Sequence, residues 1–215
     1  MKRKVVLLAC GSFNPITHMH LRMFETARDH LTKTKKCGVI HGGIISPVND
    51  KYEKKGLVAG FHRVAMVKAA VGSSDWINVD SWEVEQPGWT VTRRVIEHFQ
   101  ETHDPSRQNL QFKLLCGADL LESFAVPNLW DEEDIEVILK DFGLVVMTRA
   151  GSNPQQFIDQ SPQLTRLKDF IDIIDEPPHA ISATLIREYL KSGKSVKYLI
   201  PDTVIDYIKQ NQLYT

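Results

Sequence analysis

The chain has 215 residues, of which 42% are hydrophobic and 25% charged, and a formal net charge of −1. That length can bury a sizeable core in one α/β domain. The near-zero charge gives no global attraction to nucleic acid or acidic lipid, and the longest apolar runs fall far short of a bilayer span, so any anion site must be local. Cys10, Cys37 and Cys116 have no paired spacing and read as small buried thiols rather than as disulfides or a zinc site. Met1-Lys2-Arg3-Lys4 is basic like the start of a secretory signal. The apolar run after it is too short, however, and leads into Gly-Ser-Phe-Asn-Pro rather than a cleavage site. The reading is the mature start of a cytosolic or nuclear enzyme, with the cytoplasm as the expected address.

Val5 to Ala9 predicts a first strand. Gly11-Ser12-Phe13-Asn14-Pro15-Ile16-Thr17-His18-Met19-His20 then reads as a tight turn opening into a helix. A glycine and a proline shape the turn, small residues let backbone N–H groups face a ligand, and the helix N-terminus favours negative charge. Such a turn can hold phosphate. Leu21, Phe24, Ala27 and Leu31 recur at helical spacing, which predicts a helix packed on a sheet. Gly38 to Val48 suits a buried parallel strand ending at Ser46-Pro47, weakened by two consecutive glycines that could form a bulge.

Asn49 to Gly56 is a polar, locally basic loop. Its Lys54 is either solvated or, at the carboxyl end of a parallel strand, a phosphate contact. A second helix is marked by Val64, Val67, Ala70 and Val71, and a short strand by Trp76 to Val79. Ser81 to Thr90 reads as a loop with two tryptophans, Trp82 and Trp89, as packing anchors or as an aromatic wall for a planar ligand. Next come a helix from about Thr90 to Thr102, a polar linker from His103 to Asn109, and a buried strand from Phe112 to Cys116. That strand runs into Gly117-Ala118-Asp119, where the carboxylate is either a ligand for sugar hydroxyls or a helix N-cap.

Pro127-Asn128-Leu129-Trp130 is another aromatic loop, and Asp131 to Asp134 complement the N-terminus of a helix ending near Gly143. Strands follow at Leu144 to Thr148 and Phe170 to Ile174, separated by a Gly-Ser-Asn-Pro turn. Ser182 can cap a helix that ends around Gly193, with Ile181 and Ile186 at the staple positions. Capping does not account for Thr184 and Arg187, which share a face near an N-terminus that attracts anions. A guanidinium there suits a polyphosphate. Pro201 starts a closing helix at its first position. Alternating strands and helices, with candidate ligand residues at strand ends, predict an α/β fold: an open, Rossmann-like, doubly wound parallel sheet with helices on both faces. No Gly-x-Gly-x-x-Gly follows the first strand and no glycine loop carries a Walker lysine, so an ordinary dehydrogenase or P-loop enzyme is disfavoured.

Gly11-x-Phe13-x-Pro15-x-Thr17-x-x-His20 resembles the (His/Thr)-x-Gly-His signature of the nucleotidylyltransferase superfamily, and Ile181-Ser-Ala-Thr-x-x-Arg187 its second element. With Ser46-Pro-Val-Asn-Asp, Leu115-Cys-Gly-Ala-Asp119, Asn128-Leu-Trp130 and Val196-Lys-Tyr-Leu-Ile-Pro between and after them, the chain resembles eukaryotic nicotinamide/nicotinate mononucleotide adenylyltransferases over nearly its whole length. Thr17 stands where many members carry the first histidine and Met19 where they carry glycine; the threonine alternative is known in the family. His18 is no motif position and reads as a surface bystander.

The resemblance implies adenylyl transfer from ATP to nicotinamide or nicotinate mononucleotide, giving the dinucleotide and pyrophosphate, and a single nucleotidylyltransferase domain over 1–215 with the C-terminal helices (about 182–215) packed on it. It assigns His20 and Arg187 to catalysis. Gly11, Ser12, Phe13, Thr17, Ser182, Thr184, Gly117 and Asp119 fall to ATP and its phosphates, and Lys54, Trp89, Thr92, Leu129 and Trp130 to the mononucleotide. Mg²⁺ would arrive as Mg-ATP, held by phosphates and water, and the protein would be a homo-oligomer. A coenzyme A or phospholipid precursor is the second enzymatic reading, which the aromatic loops disfavour. A nucleotide-binding chaperone is the non-enzymatic one.

Overall fold

In a computed structural model of the chain, residues 3–34, 38–52, 54–148, 151–175 and 181–215 are described; Cys37 lies outside them. Six strands form one sheet: β1 (Lys4–Gly11), β2 (Ile40–Pro47), β3 (Ile77–Val79), β4 (Leu110–Gly117), β5 (Leu144–Met147) and β6 (Ile171–Ile174). Their order is β3-β2-β1-β4-β5-β6. β1 runs parallel to β4 from Lys4↔Leu110 to Leu8↔Leu114, and β2–β3, β4–β5 and β5–β6 are parallel as well. The fully buried runs Val5 to Leu8 and Leu144 to Val146 are continuous apolar stretches because helices cover both faces of a doubly wound sheet. The order reverses at β1 and β4, and open sheets of this kind bind ligands beyond the carboxyl ends of their strands at such reversals.

The chain divides into two compact units. The first comprises Met1–Ala9, Glu25–Gly42 and Val91–His179. Here α4 (Thr92–His103) buries Val95, Ile96 and Phe99, and the Phe99 ring stacks on Phe112 of β4 with centroids 6.4 Å apart. The helix stops where the Asp104 carboxylate accepts the amides of Asn109 and Leu110, which turns the predicted linker into an ordered corner. α5 (Ala118–Ser123) follows β4, and α6 (Glu132–Val137), capped by the Asp131 carboxylate, continues as a π-helical turn through Phe142. Two short helices replace the simple turn expected after Gly151: α7 (Pro154–Gln160) and α8 (Pro162–Leu167). Each opens on proline behind a capping side chain, Asn153 on the Gln156 amide and Ser161 on the Leu164 amide.

The second unit comprises Cys10–Phe24, Gly43–Thr90 and Ala180–Thr215, and α1 (His18–Thr34) begins in it. Gly43, one of the two glycines that weaken the strand pattern, is required by packing: a Cβ there would meet the Phe24 ring at 2.7 Å. The residue pairs in register with Ile77, so the strand does not bulge here. α2 (Gly60–Val71) packs against α10 (Asp202–Gln210), where the Thr203 hydroxyl donates to the Ala69 carbonyl at 2.9 Å. The Ser81 to Thr90 segment holds a helical turn, α3 (Trp82–Glu85), started by the Asp80 carboxylate accepting the Trp82 amide. Pro201 caps α10 rather than occupying its first helical position; its carbonyl instead takes the Val204 and Ile205 amides.

Candidate active site

Within the second unit, the turn after β1 gathers several of the residues expected to hold phosphate. Phe13 is buried and has φ 42°, a left-handed backbone that non-glycine residues adopt at a cost of about 1–3 kcal/mol. Such strain persists where surroundings over-determine it, and here it turns the chain from the strand into Asn14, whose peptide bond to Pro15 is cis. The buried Thr17 then organises His20. Its backbone amide donates to His20 Nδ1 at 3.0 Å, and its hydroxyl lies 2.9 Å from the same nitrogen. An amide can only donate, so Nδ1 accepts and the ring proton sits on Nε2. The Phe13 ring meets the imidazole edge-on at 5.2 Å. His18, two residues earlier, is exposed.

The second motif opens α9 (Ala183–Lys191), also in this unit. Ser182 caps the helix by accepting the Leu185 amide at 3.1 Å, and its hydroxyl retains a proton to donate. Arg187 Nη2 donates to the Thr184 hydroxyl at 3.2 Å and Nη1 to the Asn14 carbonyl at 2.8 Å. The two motifs are therefore joined directly, through the turn itself. Lys54 reaches the same place, with Nζ 3.4 Å from the Ser12 hydroxyl. Trp89 is 51% exposed, with the Tyr52 ring at 6.4 Å.

Sequence reasoning missed the residues that hold the turn. The fully buried Asn14 donates Nδ2 to the Gly56 carbonyl at 2.8 Å and accepts the Tyr214 hydroxyl at 2.7 Å. Arg63 of α2 has no exposed surface. Its Nε donates to the Val58 carbonyl, Nη1 to Ser12, and Nη2 to Val48 and the Asp50 carboxylate. One guanidinium thus fastens three segments, and its charge is balanced by Asp50. The signal was an arginine three and four residues before Met66 and Val67, on the otherwise apolar buried face of the helix.

Glu83 of α3 is a third such residue, 2% exposed and accepting the Ser46 hydroxyl. Burial pushes its carboxyl up to about 7, opposed by the Ser46 hydrogen bond and the Arg63 charge. The folded protein therefore holds a proton that the unfolded chain releases near the ordinary value of 4.5. Stability is fully present below that value and is lost as pH rises to about 7. Glu83→Gln removes the charge, and it should stabilise the protein by about 3 kcal/mol at pH 8 but little at pH 5. Paired denaturant titrations at the two pH values check this, and an equal effect at both would contradict it.

The remaining predicted residues belong to the first unit. Gly117 caps α5, so Asp119 lies inside the first turn rather than at the cap. A Cβ on Gly117 would come within 2.6 Å of Asp119 Oδ1; the missing side chain gives the carboxylate its place. Burial, reinforced by the Asp119 charge, pushes the neighbouring Cys116 thiol up, as suits an inert thiol. Trp130 is half-buried; its indole N–H donates to the Ser123 hydroxyl at 2.9 Å, and its ring lies edge-on to Phe124 at 4.9 Å. Leu129 is 56% exposed beside it. Thr92 is the first residue of α4. The adjacent Arg93 bonds Glu133 and Asp134 of α6, each at 3.1 Å, tying the start of α4 to the helix that follows Trp130.

Comparison with known proteins gives the family and the fold. Residues 8–189 match the cytidylyltransferase-like family. The chain is 44% identical over 253 residues to nicotinamide/nicotinic acid mononucleotide adenylyltransferase 1 of Bos taurus, covering 100% of this chain and 90% of the relative. It is also 44% identical over 219 residues to the Arabidopsis thaliana nicotinamide/nicotinic acid mononucleotide adenylyltransferase, covering 100% and 91%. Among solved structures, Plasmodium falciparum nicotinic acid mononucleotide adenylyltransferase complexed with NaAD aligns with a TM-score of 0.69 at 22% identity, covering 99% of this chain and 98% of that one. That likeness bears on the fold, while the sequence relatives carry the family. The chain belongs to the eukaryotic nicotinamide/nicotinic acid mononucleotide adenylyltransferases, enzymes of NAD biosynthesis within the cytidylyltransferase-like superfamily.

Proposed function

We propose that this chain performs the family reaction on both mononucleotides: the 5′-phosphate of nicotinamide or nicotinate mononucleotide attacks the α-phosphorus of ATP in line, forming the dinucleotide and releasing pyrophosphate. The observation that carries this reading is the Arg187 bond to the Asn14 carbonyl, which joins the second motif to the turn that also positions His20. The nucleophile is already an anion, so no general base is needed, and the protein contributes alignment and charge stabilisation. His20 Nε2–H donates to the α-phosphate, aided by amides near Ser12 and Phe13. Arg187, Ser182 and Thr184 grip the β and γ phosphates, and Lys54 lies near the mononucleotide phosphate. Gly117 and Asp119 bind nucleotide sugar, Trp130 stacks on the pyridine ring, and Trp89, Thr92 and Leu129 contribute to mononucleotide binding.

The side chains joined at the turn present imidazole, guanidinium, ammonium and hydroxyl donors, a set that fits phosphate oxygens rather than a dication. Magnesium accordingly enters as part of the substrate, Mg-ATP. We take 1–215 as one functional domain, since the family match at 8–189 runs through both units. A cytoplasmic homo-oligomer completes the reading. The exposed Phe61 and Tyr198 accord with self-association, which sedimentation velocity can test. Among the described residues no helix is long and apolar enough to cross a membrane.

Incubation with Mg-ATP and each mononucleotide, with dinucleotide and pyrophosphate quantified, tests the reaction; no turnover with either would refute it. Trp130→Ala should raise KM for the mononucleotide about tenfold, the scale of a lost aromatic stack. KM for ATP should stay unchanged, and a selective effect on ATP would reassign the indole.

A further inference from the structure

Tyr214 follows α10 in a turn where Gln212 and Tyr214 take left-handed φ values of 50° and 64° and the Leu213 amide returns to the Ile208 carbonyl at 3.1 Å. This backbone brings a tyrosine that is only 9% exposed to the phosphate turn, where its hydroxyl donates to Asn14 Oδ1 at 2.7 Å. Among the described residues, the other donor to that oxygen is the Val58 amide, at 3.4 Å. Asn14 Nδ2 meanwhile holds the Gly56 carbonyl at 2.8 Å, and the Asn14 backbone carbonyl receives Arg187. The tyrosine hydroxyl therefore selects one orientation of the Asn14 amide, and that orientation fixes the carbonyl on which the phosphate-binding arginine docks.

We propose that Tyr214 is a positioning residue for ATP: acting through Asn14, its hydroxyl sets the phosphate turn and the docking point of Arg187, although it touches no substrate itself. The inference rests on the reading above that this turn and Arg187 hold the triphosphate. Removing the hydroxyl leaves a buried carbonyl oxygen with one long contact. The amide then loses the contact that selects its rotamer, and its hold on the Gly56 carbonyl loosens. Burial pushes the Tyr214 hydroxyl up from its ordinary value against the opposing charges of Arg187 and Arg63, so the donor stays protonated throughout the working pH range.

Tyr214→Phe keeps the ring and removes one oxygen. The expected result is a KM for Mg-ATP raised about fivefold, the equivalent of one net hydrogen bond, with KM for the mononucleotide within about twofold. A purely structural role would lower the melting temperature and leave both Michaelis constants unchanged in the folded fraction, and that outcome overturns the proposal. On an Asn14→Ala background the Phe substitution should add nothing to the ATP effect; independent, multiplying effects would also overturn it. Arg187→Ala separates the two levels of inference. If it raises KM for ATP while Tyr214→Phe does not, Tyr214 is not a positioning residue. If neither variant changes that constant, the triphosphate reading itself is wrong.

Discussion

Replacing His20 by alanine is expected to lower kcat by about 10²- to 10³-fold, the scale seen when one preorganised donor to a developing charge is removed. The fold should be unaffected, because the half-buried imidazole lies in the first turn of a 17-residue helix whose core contacts come from Phe24, Ala27 and Leu31. The size of the effect follows from preorganisation. The Thr17 amide and hydroxyl occupy Nδ1, so the tautomer and ring plane are set before substrate arrives and Nε2–H needs no reorientation during phosphoryl transfer. A donor that strengthens its bond only as charge moves onto the α-phosphate oxygens acts on kcat more than on KM. Steady-state kinetics alongside thermal melting checks this, and near-normal turnover in a folded variant would remove His20 from the reaction.

Arg63→Met should produce the largest loss of stability of any substitution at the site, about 3–5 kcal/mol, or a melting temperature lower by about 10 °C for a chain of this size. The ion pair contributes little of this, because the Asp50 side chain is 54% exposed and well screened. The cost lies in the carbonyls of Ser12, Val48 and Val58, which lose a charged donor they share. Arg63→Lys restores the charge but not the fork, since one ammonium cannot span three separate carbonyls, and it should recover only part of the loss. Removing the guanidinium also withdraws a charge that holds the Glu83 carboxyl down, so the alkaline loss of stability should move to higher pH in the Met variant. Equilibrium denaturation at several pH values measures both effects, and native-like stability of the Met variant would contradict the assignment.

The fold was readable because a doubly wound sheet writes a simple pattern: apolar runs for strands buried on both faces, such as Val5 to Leu8, and helical spacing between them. The pairing of Thr184 with Arg187 behind a capped N-terminus was equally readable, because three-residue spacing on a helix brings two side chains together. Short helices were lost instead. α7 and α8 announce themselves only through Asn153-Pro154 and Ser161-Pro162, and α3 only through Asp80, caps too local to stand out against polar surroundings. Asp119 was legible as a residue but not as a helical one, because nothing in the sequence says that Gly117 yields its side-chain space to that carboxylate. The polar groups that hold the site together are the least legible part. Arg63, Asn14, Glu83 and Tyr214 bond to partners far along the chain, and local pattern carries no record of those partners.

That remoteness bears on how activity is acquired during synthesis and folding. The turn after β1 lies within the first twenty residues, but the Asn14–Tyr214 hydrogen bond spans a separation of 200 residues and Arg187 reaches Asn14 across 173. Contacts at such distances form late, after closer pairings have offset the entropy of closing the intervening chain. A nascent chain can therefore build β1, α1 and β2 while its turn is still unset. The competence to hold a nucleotide is among the last properties the molecule gains, so recovered turnover reports completed folding more stringently than recovered secondary structure.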